Sequence, residues 1–202
     1  MARYTGPKVK KARSFGEAIT AKDAKVLMKR NYAPGQHGQS RGRVSEYGTQ
    51  LKEKQKAKWT YGILEKQFRN YFKEASQKRG ITGDALLQIL ESRLDNIVYR
   101  LGFAETRAQA RQLVSHGFFD VNGKKVNIPS YRTRVGEVIA FRESKKKSKY
   151  IDVLKQKLKN AKTQEWLELN SDQLSGKVLS TPNQEQIDSR INTQLIVELY
   201  SR

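Results

Sequence analysis

The sequence of 202 residues contains no cysteine and only two histidines, His37 and His116. Disulfide bonds and thiolate metal sites are therefore excluded. Neither histidine has an obvious second metal ligand or a serine nucleophile motif, and phosphate-binding loops of the Walker type and dinucleotide fingerprints are missing. We therefore expect no catalytic residue, no metal and no cofactor.

Long apolar runs are missing as well. No run reaches the roughly 18 residues that a membrane-spanning helix requires, and the N-terminus lacks the apolar stretch of a signal peptide. Its basic start is faintly similar to a transit peptide, but Gly6 and Pro7 break any amphipathic helix there. We expect no membrane partner and no small-molecule substrate.

Positive charge dominates what is present. Lysine and arginine total 40 against 20 acidic residues, a net charge of +20 at pH 7. Residues 1–80 hold 20 basic and 6 acidic side chains, residues 81–150 hold 13 and 7, and residues 151–202 hold 7 of each. A charge this large destabilises a compact chain unless a polyanion compensates it, and nucleic acid is the polyanion it favours. The polyanion should lie mainly against the N-terminal part, while the neutral C-terminal segment is expected to contact protein or solvent.

Residues 91–142 predict two short helices, a hairpin and a strand. The first helix carries apolar residues at helical spacing on one face, namely Leu87, Leu90, Leu94, Ile97, Val98 and Leu101. Gly102 and Gly117 are expected to end the two helices, and Thr106 with Gln109 predicts a capping box at the start of the second.

The same stretch is expected to direct cations outward. Arg107 and Arg111 are four residues apart, opposite the apolar stripe of the second helix. Asn122-Gly123 suits the tight turn of a hairpin over residues 118–126, and two lysines follow that turn directly. A surface of this kind is suited to phosphates.

Residues 1–45 have few apolar side chains and many helix breakers, most densely at 34–43 (PGQHGQSRGR). Such a segment buries too little surface to fold alone. Two interpretations stay open. One is a disordered tail, and the other is an extension that becomes ordered against RNA, with Arg41 and Arg43 binding phosphates that the glycines allow to approach.

The remaining chain predicts several further elements. Residues 45–58 predict a charged helix, and Thr60 is expected to cap a second helix with a stripe of apolar residues, Tyr61, Leu64, Phe68, Phe72 and Ala75. We interpret these aromatic residues as core rather than as groups that stack on bases. Gly80 should end this helix, and residues 82–83 should break the chain.

Beyond the predicted strand, the basic run at 143–149 is compatible with solvation and with phosphate contact. Helices are expected over 150–161 and 184–191, a short strand at 166–169, and an apolar run at 195–200 that packs back onto the body.

Cations at helical spacing, basic glycine-rich loops and interleaved tyrosines favour nucleic-acid binding as a class. The sequence lacks the base-reading pattern of a recognition helix, the aromatic pair of an RRM strand and the Gly-x-x-Gly loop of a KH domain. It therefore favours recognition of phosphate and shape in folded RNA over base reading in duplex DNA.

Several stretches resemble the S4 family of bacterial small-subunit ribosomal proteins. They are residues 1–7 (MARYTGP), 34–38 (PGQHG), 45–48 (SEYG), 61–62 (YG), 93–104 (RLDNIVYRLGFA), 110–114 (ARQLV), 121–123 (VNG) and 196–201 (IVELYS). The resemblance covers nearly the whole chain and its motifs together are highly specific. The helix–helix–hairpin unit alone is not, because it also occurs in some RNA-modifying enzymes and a tRNA synthetase.

The resemblance implies a structural, non-enzymatic protein. Family members bind 16S rRNA early, at a multi-helix junction, and help to start assembly of the body of the small subunit. They contact ribosomal protein S5 at an interface that bears on decoding accuracy, and with other small-subunit proteins they line the path by which messenger RNA enters. The implied location is the cytoplasmic small subunit, with a plastid ribosome as the alternative.

Two departures from the family pattern are visible. Many members hold zinc with four N-terminal cysteines, whereas Val9 and Ala12 occupy the places of the first pair here. Packing against RNA is our expectation for what orders residues 8–33 instead. At 118–119 this chain has two phenylalanines where the family more often has a histidine and an aliphatic residue, and we attach no change of function to this.

The predicted fold class is α+β, with an N-terminal basic extension, a small helical domain, and an α/β RNA-binding domain of two helices and a small, mainly antiparallel sheet. The predicted domains are an extended RNA-binding segment at 1–45, a helical domain at 46–90 completed by 185–202, and an S4-type RNA-binding domain at 91–184.

For contact with phosphate we predict a set of cations, Arg3, Lys8, Lys10, Lys11, Arg13, Arg41, Arg43, Lys52, Lys56, Lys58, Arg69, Arg107, Arg111 and Lys124. Tyr4 and Tyr47 are expected to stack on, or hydrogen-bond to, ribose. The prediction applies to the set, because each single cation is also compatible with simple solvation. Loss of Arg107 and Arg111 together is expected to weaken RNA binding with little effect on stability.

Two alternative functions belong to other classes of protein. An RNA-modifying enzyme that uses this module to hold RNA requires a separate catalytic domain, for which we find no residues. A general DNA-compacting protein is the other rival, and competition between duplex DNA and a structured rRNA junction would separate it from our interpretation.

Overall fold

The computed structural model describes residues 3–40, 42–158, 163–187 and 190–202. The chain divides into two compact units, Met1–Gln77 with Ser189–Arg202, and Lys78–Asp188. This division by contacts begins the second unit at Lys78, and within it Gln88 and Glu91 share hydrogen bonds with residues that follow. The domain boundary at residue 90 stays a prediction.

The first unit is helical in its described part. It contains α1 (Lys8–Phe15), α2 (Ala21–Lys29), α3 (Glu46–Thr60), α4 (Glu65–Gln77) and, from the end of the chain, α10 (Thr193–Ser201). Helix α10 packs on α3, and the Tyr200 ring stacks on Phe72 at 4.5 Å between centroids. The apolar run at 195–200 is therefore a helix that lies against the helical unit.

The N-terminal segment is not extended throughout, because two stretches of it are helical. Helix α2 begins with a capping box in which Thr20 accepts from the Asp23 amide and Asp23 accepts from the Thr20 amide at 2.9 Å. The fully buried Ala12 lies on α1, which packs against α2 and α3. The guanidinium of Arg13 donates to the carbonyls of Tyr32 at 3.0 Å and Ala33 at 3.3 Å. These contacts give residues 8–33 partners within the protein itself, and the expectation that packing against RNA orders this segment stays a prediction.

Helix α3 begins where predicted, with the Ser45 hydroxyl accepting from the Gly48 amide. Helix α4 begins at Glu65 and not near Thr60, which is still the last residue of α3. The chain turns between the helices at Gly62, whose φ is +64°. Tyr61, Phe68 and Ala75 are buried as predicted, whereas Leu64 is exposed.

The second unit combines helices with one antiparallel sheet. Its helices are α5 (Thr82–Glu91), α6 (Leu94–Arg100), α7 (Arg107–Ser115), α8 (Glu143–Lys146) and α9 (Lys149–Leu158). Its strands are β1 (Phe119–Val121), β2 (Lys124–Lys125), β3 (Val138–Phe141), β4 (Leu167–Asn170) and β5 (Ser175–Val178), in the order β2-β1-β3-β5-β4. The α+β fold class is therefore confirmed.

The core of the second unit lies between its helices and the sheet. β1 and β3 place Phe119 opposite Phe141, and the two rings lie 4.5 Å apart with Phe103 against both. The hairpin turns at Asn122 and Gly123, with φ of +48° and +76°, as the dipeptide predicts.

The predicted first helix of this unit is in fact two helices. The amides of Leu94 and Asp95 donate to the carbonyls of Tyr131 and Pro129, and Arg93 forms a β-bridge with Arg132. These long-range bonds interrupt the helical ladder, so α5 ends at Glu91 and α6 starts at Leu94. The predicted apolar residues are nevertheless all buried.

Two other predicted elements are wrong. Residues 82–83 do not break the chain, since they lie in the first turn of α5. Of the helix predicted over 184–191, the described residues form only a 3₁₀ turn at Gln184–Gln186, and residues 188–189 lie outside the described part of the chain. A helix there would require apolar periodicity over more than one turn, which this polar stretch does not have.

A carboxylate on α4 joins three elements of the first unit. Glu65 accepts hydrogen bonds from Lys54, from Lys58 at 3.0 Å and from the hydroxyl of Tyr200 at 3.1 Å. Partial burial alone would raise the pKa of Glu65, but the hydrogen bonds from the two lysines outweigh it and lower the pKa from its ordinary value. The pKa of the Tyr200 hydroxyl is instead raised, because the group is partly buried and lies beside the negative charge of Glu65.

We predict that Glu65→Gln lowers the free energy of unfolding at pH 7 by about 1–2 kcal/mol, a value reduced for the partial exposure of Glu65. Because the folded-state pKa of Glu65 is lowered, its contribution is present above the ordinary glutamate pKa and is lost as pH falls through the lowered value. Urea unfolding of both proteins at several pH values measures the difference. It should shrink at acidic pH, and a difference that is constant with pH would contradict the ion-pair explanation.

Candidate nucleic-acid interface

In the described part of the chain, no helix has the length and apolar character needed to cross a membrane. The same residues contain no group of three or more potential metal-binding side chains. The prominent feature of the surface is instead exposed lysine and arginine.

Helix α4 presents three exposed cations on one side. Lys66, Arg69 and Lys73 follow the spacing i, i+3, i+7 and therefore lie along one face, away from the buried Phe68 and Tyr71. Because the rise is about 1.5 Å per residue, this row extends over about 10 Å. The sequence analysis selected only Arg69 from this row.

Helix α2 presents a second row, which the sequence analysis missed. Lys22, Lys25 and Lys29 have the same spacing and are all exposed, while Asp23 is buried in the helix cap. The signal was available, since the i, i+3, i+7 pattern is visible in the sequence. It was overlooked because residues 1–45 were not expected to be helical.

A cluster of two aromatic rings and two lysines lies beside α1, and we call it the aromatic–cation cluster. Tyr4 and Trp59 meet edge to face at 4.2 Å between centroids. The Lys11 ammonium lies 5.0 Å from the Trp59 centroid and 5.8 Å from that of Tyr4, and Lys58 lies 5.5 Å from the Trp59 centroid. A ring quadrupole attracts a cation at such distances. The cluster combines predicted residues with Trp59, which the sequence analysis did not select.

The lysines of α3 have different environments, although they recur every second residue. Lys52 is exposed, but Lys56 is buried and pairs with Glu17 at 2.8 Å and Glu53 at 3.2 Å. It also donates to the carbonyl of Arg190. The structure therefore places Lys56 inside the unit as a bridge between elements, not on a surface where phosphate can reach it.

The other predicted residues of the first unit lie mostly at the surface. Those that are exposed are Arg3, Lys8, Lys10, Arg43 and Tyr47. Arg13 is half-buried, with its guanidinium 4.7 Å from the Tyr32 ring centroid. Arg41 lies outside the described residues.

Arg107 of the second unit stands at the end of a hydrogen-bonded chain that starts in the core. Its Nε donates to Asn96 Oδ1 at 2.8 Å, and its guanidinium lies 4.5 Å from the Tyr99 ring centroid. Asn96 in turn donates to the fully buried carboxylate of Glu91 at 2.6 Å. The orientation of Arg107 is thus fixed, while the residue remains partly accessible.

Arg111 differs from its neighbour and corrects a prediction. It is only 9% exposed, and its NH1 lies 3.6 Å from Asp95 Oδ2. Asp95 also accepts two hydrogen bonds from Arg93, at 2.8 and 3.0 Å. Arg111 was expected to point outward, but the structure places it in a buried ion-pair network. Cα spacing alone could not show this, because the carboxylate comes from α6.

The hairpin side of the second unit is also cationic. Lys124 and Lys125 are exposed on β2, and the Lys145 ammonium lies 5.3 Å from the centroid of the Phe118 ring. Arg142 lies 3.2 Å from an oxygen of Asp120. Part of the basic run at 143–149 is therefore held against the hairpin.

Many of these cations have no carboxylate partner among the described residues. Exposed lysines of this kind include Lys8, Lys10, Lys22, Lys25, Lys29, Lys52, Lys66, Lys73, Lys124 and Lys125. Phosphate oxygens are suitable partners for such side chains, because charge-assisted hydrogen bonds are the stronger ones. Both units thus present surfaces that can bind a polyanion.

We predict that Arg107→Ala mainly weakens RNA binding, whereas Arg111→Ala mainly lowers stability. Arg111→Ala removes a buried ion-pair partner and packing area, and should lower the free energy of unfolding by about 2 kcal/mol. Arg107→Ala should cost less stability but weaken RNA binding about fivefold, which is roughly 1 kcal/mol. Urea unfolding and filter binding measure the two quantities, and equal destabilisation by both substitutions would contradict the distinction.

We also predict that Trp59 reports on RNA binding, because its ring carries cations at the surface. With Trp166→Phe, Trp59 is the only tryptophan, and its emission should change when RNA is added. With Trp59→Phe, the remaining Trp166 is 2% exposed and its emission should not change. If the Trp59 emission stays constant at saturating RNA, the aromatic–cation cluster is not part of the RNA interface.

Comparison with known proteins agrees with this geometry. The family described as ribosomal protein S4/S9 N-terminal domain matches residues 3–91, and the family described as S4 domain matches residues 92–139. The chain is 58% identical to the small ribosomal subunit protein uS4 of Parabacteroides distasonis. It is 55% identical to that of Christiangramia forsetii and 51% identical to that of Desulforamulus reducens, and each alignment covers all of both chains. The chain therefore belongs to the S4 family of small ribosomal subunit proteins, a structural and non-enzymatic family.

Proposed function

We propose that this protein is a structural constituent of the small ribosomal subunit that binds 16S rRNA directly through the cations of both units. The observation that carries the proposal is the pair of exposed lysine and arginine rows on α2 and α4. Each row provides three positive charges on one helix face, and the lysines in them have no carboxylate partner among the described residues. The relatives named as small ribosomal subunit proteins support the same conclusion.

The mode of recognition we propose is phosphate and shape readout. Phosphate contacts determine where a protein lies on a nucleic acid but carry no sequence information themselves. The described cations lie on helices and a hairpin of fixed conformation, so their spacing selects a folded RNA that presents phosphates at matching positions. A junction of several RNA helices can present phosphates at such positions. A uniform duplex presents its phosphates in only one regular arrangement.

The finer roles are proposals that rest on the resemblance. We propose that the protein binds 16S rRNA early and nucleates assembly of the subunit body. We further propose that it contacts protein S5 and other small-subunit proteins, contributes to translational accuracy and lines the messenger RNA path. The proposed location is the cytoplasmic small subunit, with a plastid ribosome as the alternative.

Salt dependence tests the proposal. Neutralising six to ten phosphates should reduce the affinity for a 16S rRNA fragment by ~10³–10⁵ between 50 and 200 mM salt. The double substitution Lys22→Gln with Lys25→Gln should reduce the slope of log K against log salt by about 1.4–1.8, if both lysines bind phosphate.

The control is Lys155→Gln with Lys177→Gln, which removes the same charge from exposed positions on α9 and β5. This pair should leave the slope nearly unchanged if local contacts, and not the total charge, determine binding. Equal slope changes for both pairs would show that the total charge of the protein, and not local contacts, determines RNA binding. Displacement of the rRNA fragment by equal amounts of duplex DNA would favour a DNA-compacting protein instead.

A further inference from the structure

The aromatic–cation cluster contains two rings that meet at a steep angle in the first unit. The planes of Tyr4 and Trp59 are inclined by 74°, with 4.2 Å between the ring centroids. Both residues are partly exposed. In an edge-to-face pair, the ring that contributes its edge keeps its faces outside the contact. Flat apolar surface of this kind is not needed for binding phosphate, and the lysine rows of α2 and α4 do not provide it.

The position of the Tyr4 ring depends on the lack of a side chain at residue 6. A Cβ atom on Gly6 would lie 2.5 Å from the Tyr4 hydroxyl oxygen and 2.6 Å from Cζ. These distances are shorter than van der Waals contact, so any larger residue at position 6 would displace the ring. The Tyr4 ring is therefore packed closely on the backbone of Gly6 before any ligand binds.

Two hydrogen-bond donors of the cluster are unused within the described part of the chain. Neither the indole N–H of Trp59 nor the hydroxyl of Tyr4 has a hydrogen-bond partner among the described residues. Tyrosine and tryptophan side chains that are partly buried usually have a partner for these groups. A ligand that stacks on the rings can therefore also accept hydrogen bonds from them.

The two lysines of the cluster differ in how firmly they are held. Lys58 pairs with Glu65 at 3.0 Å, in addition to its contact with the Trp59 ring. Lys11 has no carboxylate partner among the described residues, although its ammonium lies 5.0 Å from the Trp59 centroid and 5.8 Å from that of Tyr4. Because a cation–π contact near the surface is weak, a phosphate can draw the Lys11 ammonium away from the rings. A planar group can then occupy the ring face.

The charge around the cluster favours nucleic acid as the ligand. Residues 3–16 contain five basic side chains and no acidic one. The cluster therefore suits a planar apolar group that carries a negative charge beside it. An unpaired nucleotide combines both features, whereas the bases of a duplex are stacked on their neighbours and expose only their edges.

We propose that the aromatic–cation cluster binds one unpaired nucleotide of the RNA. Its base stacks on Trp59 beside Tyr4, its phosphate pairs with Lys11, and the two unused donors bond to its oxygen or nitrogen atoms. Stacking tolerates every base, so the cluster selects unpaired over paired nucleotides without reading sequence. The inference rests on the proposed function, because it takes RNA as the ligand of this unit, and it adds a contact that phosphate readout lacks.

The first test compares three ligands that differ in whether a base is accessible. They are a short oligouridylate, the same strand paired with oligoadenylate, and an abasic ribose-phosphate oligomer of equal length. Trp59→Leu should weaken binding of the single strand about 5- to 150-fold, which is what one stacked base contributes. Binding of the paired strand and of the abasic oligomer should not change. Filter binding measures all three affinities.

Three further variants separate stacking from a general loss of structure. Trp59→Phe keeps a ring and should lose less affinity for the single strand than Trp59→Leu does. Gly6→Ala leaves every functional group in place but displaces Tyr4, and should also weaken single-strand binding alone. The matched control is Phe118→Leu, which removes another ring that carries a lysine, with Lys145 at 5.3 Å. It should leave the preference for the single strand unchanged, and an effect as large as that of Trp59→Leu would overturn the proposal.

The second test uses a 16S rRNA fragment at several salt concentrations. Because Trp59 carries no charge, Trp59→Leu should lower the affinity by the same factor at every salt concentration. The slope of log K against log salt should stay as it is in the native protein. Lys11→Gln should instead reduce the slope by about 0.7, the value for one phosphate of a single strand. A reduced slope in Trp59→Leu would mean that the ring acts by holding cations and not by stacking.

The two tests separate this inference from the proposed function. If Trp59→Leu weakens all three ligands equally, or none of them, the cluster does not bind a base. When the rRNA fragment still binds with the expected salt dependence, that result overturns this inference alone. If the protein does not bind the rRNA fragment, the proposed function fails, while a single-strand preference that depends on Trp59 still supports a nucleotide site.

Discussion

The conformation of the second unit depends on a carboxylate that has no contact with solvent. Glu91 is 0% exposed and accepts hydrogen bonds from Asn96 at 2.6 Å and from Arg100 at 2.7 and 3.0 Å. A buried charge is tolerated only when it is paired and its lone pairs are satisfied. The end of α5 and the whole of α6 must therefore keep their relative positions for this ion pair to form. The same requirement fixes the break between the two helices, where Arg93 and Asp95 form a second buried pair.

This core network also determines the chemistry of the surface. The amide of Asn96 donates to Glu91, so its oxygen is oriented to accept from Arg107. The guanidinium of Arg107 is thereby held on the Tyr99 ring with part of its surface accessible. A cation fixed in this way loses less side-chain entropy when it binds a phosphate than one on a free stem. The buried ion pairs thus contribute to recognition as well as to the fold, which is one reason to retain a costly buried charge.

Helical geometry determines which of the many cations are buried in ion pairs and which are exposed at the surface. On α3, lysines every second residue rotate around the helix, so Lys52 is exposed while Lys54 and Lys56 turn inward to carboxylates. On α2 and α4, the spacing i, i+3, i+7 keeps three cations on one face. Internal pairing relieves some self-repulsion in a chain with a net charge of +20, whereas the external rows leave positive potential for RNA to neutralise.

Local signals in the sequence were sufficient for much of this architecture, and long-range contacts account for the rest. The start of the helix at residue 45, the turn at Asn122-Gly123 and the apolar face from Leu87 to Leu101 depend on neighbours within a few residues, and they were predicted correctly. The break before Leu94 depends on carbonyls about 35 residues away along the chain, and the burial of Lys56 depends on Glu17 and Arg190. Composition indicated a polyanion partner, but it could not separate Arg107 from Arg111, because the difference is a carboxylate supplied by another helix.

The N-terminal segment contains a small helical pair that contacts within the protein hold in place. Ala12 of α1 is fully buried, and Arg13 donates to the carbonyls of Tyr32 and Ala33. Because those carbonyls directly precede the glycine-rich loop, one guanidinium ties the start of that loop to α1. The exposed Lys8 and Lys10 of α1 are therefore linked to the loop that carries Arg43 through a contact that needs no bound ion.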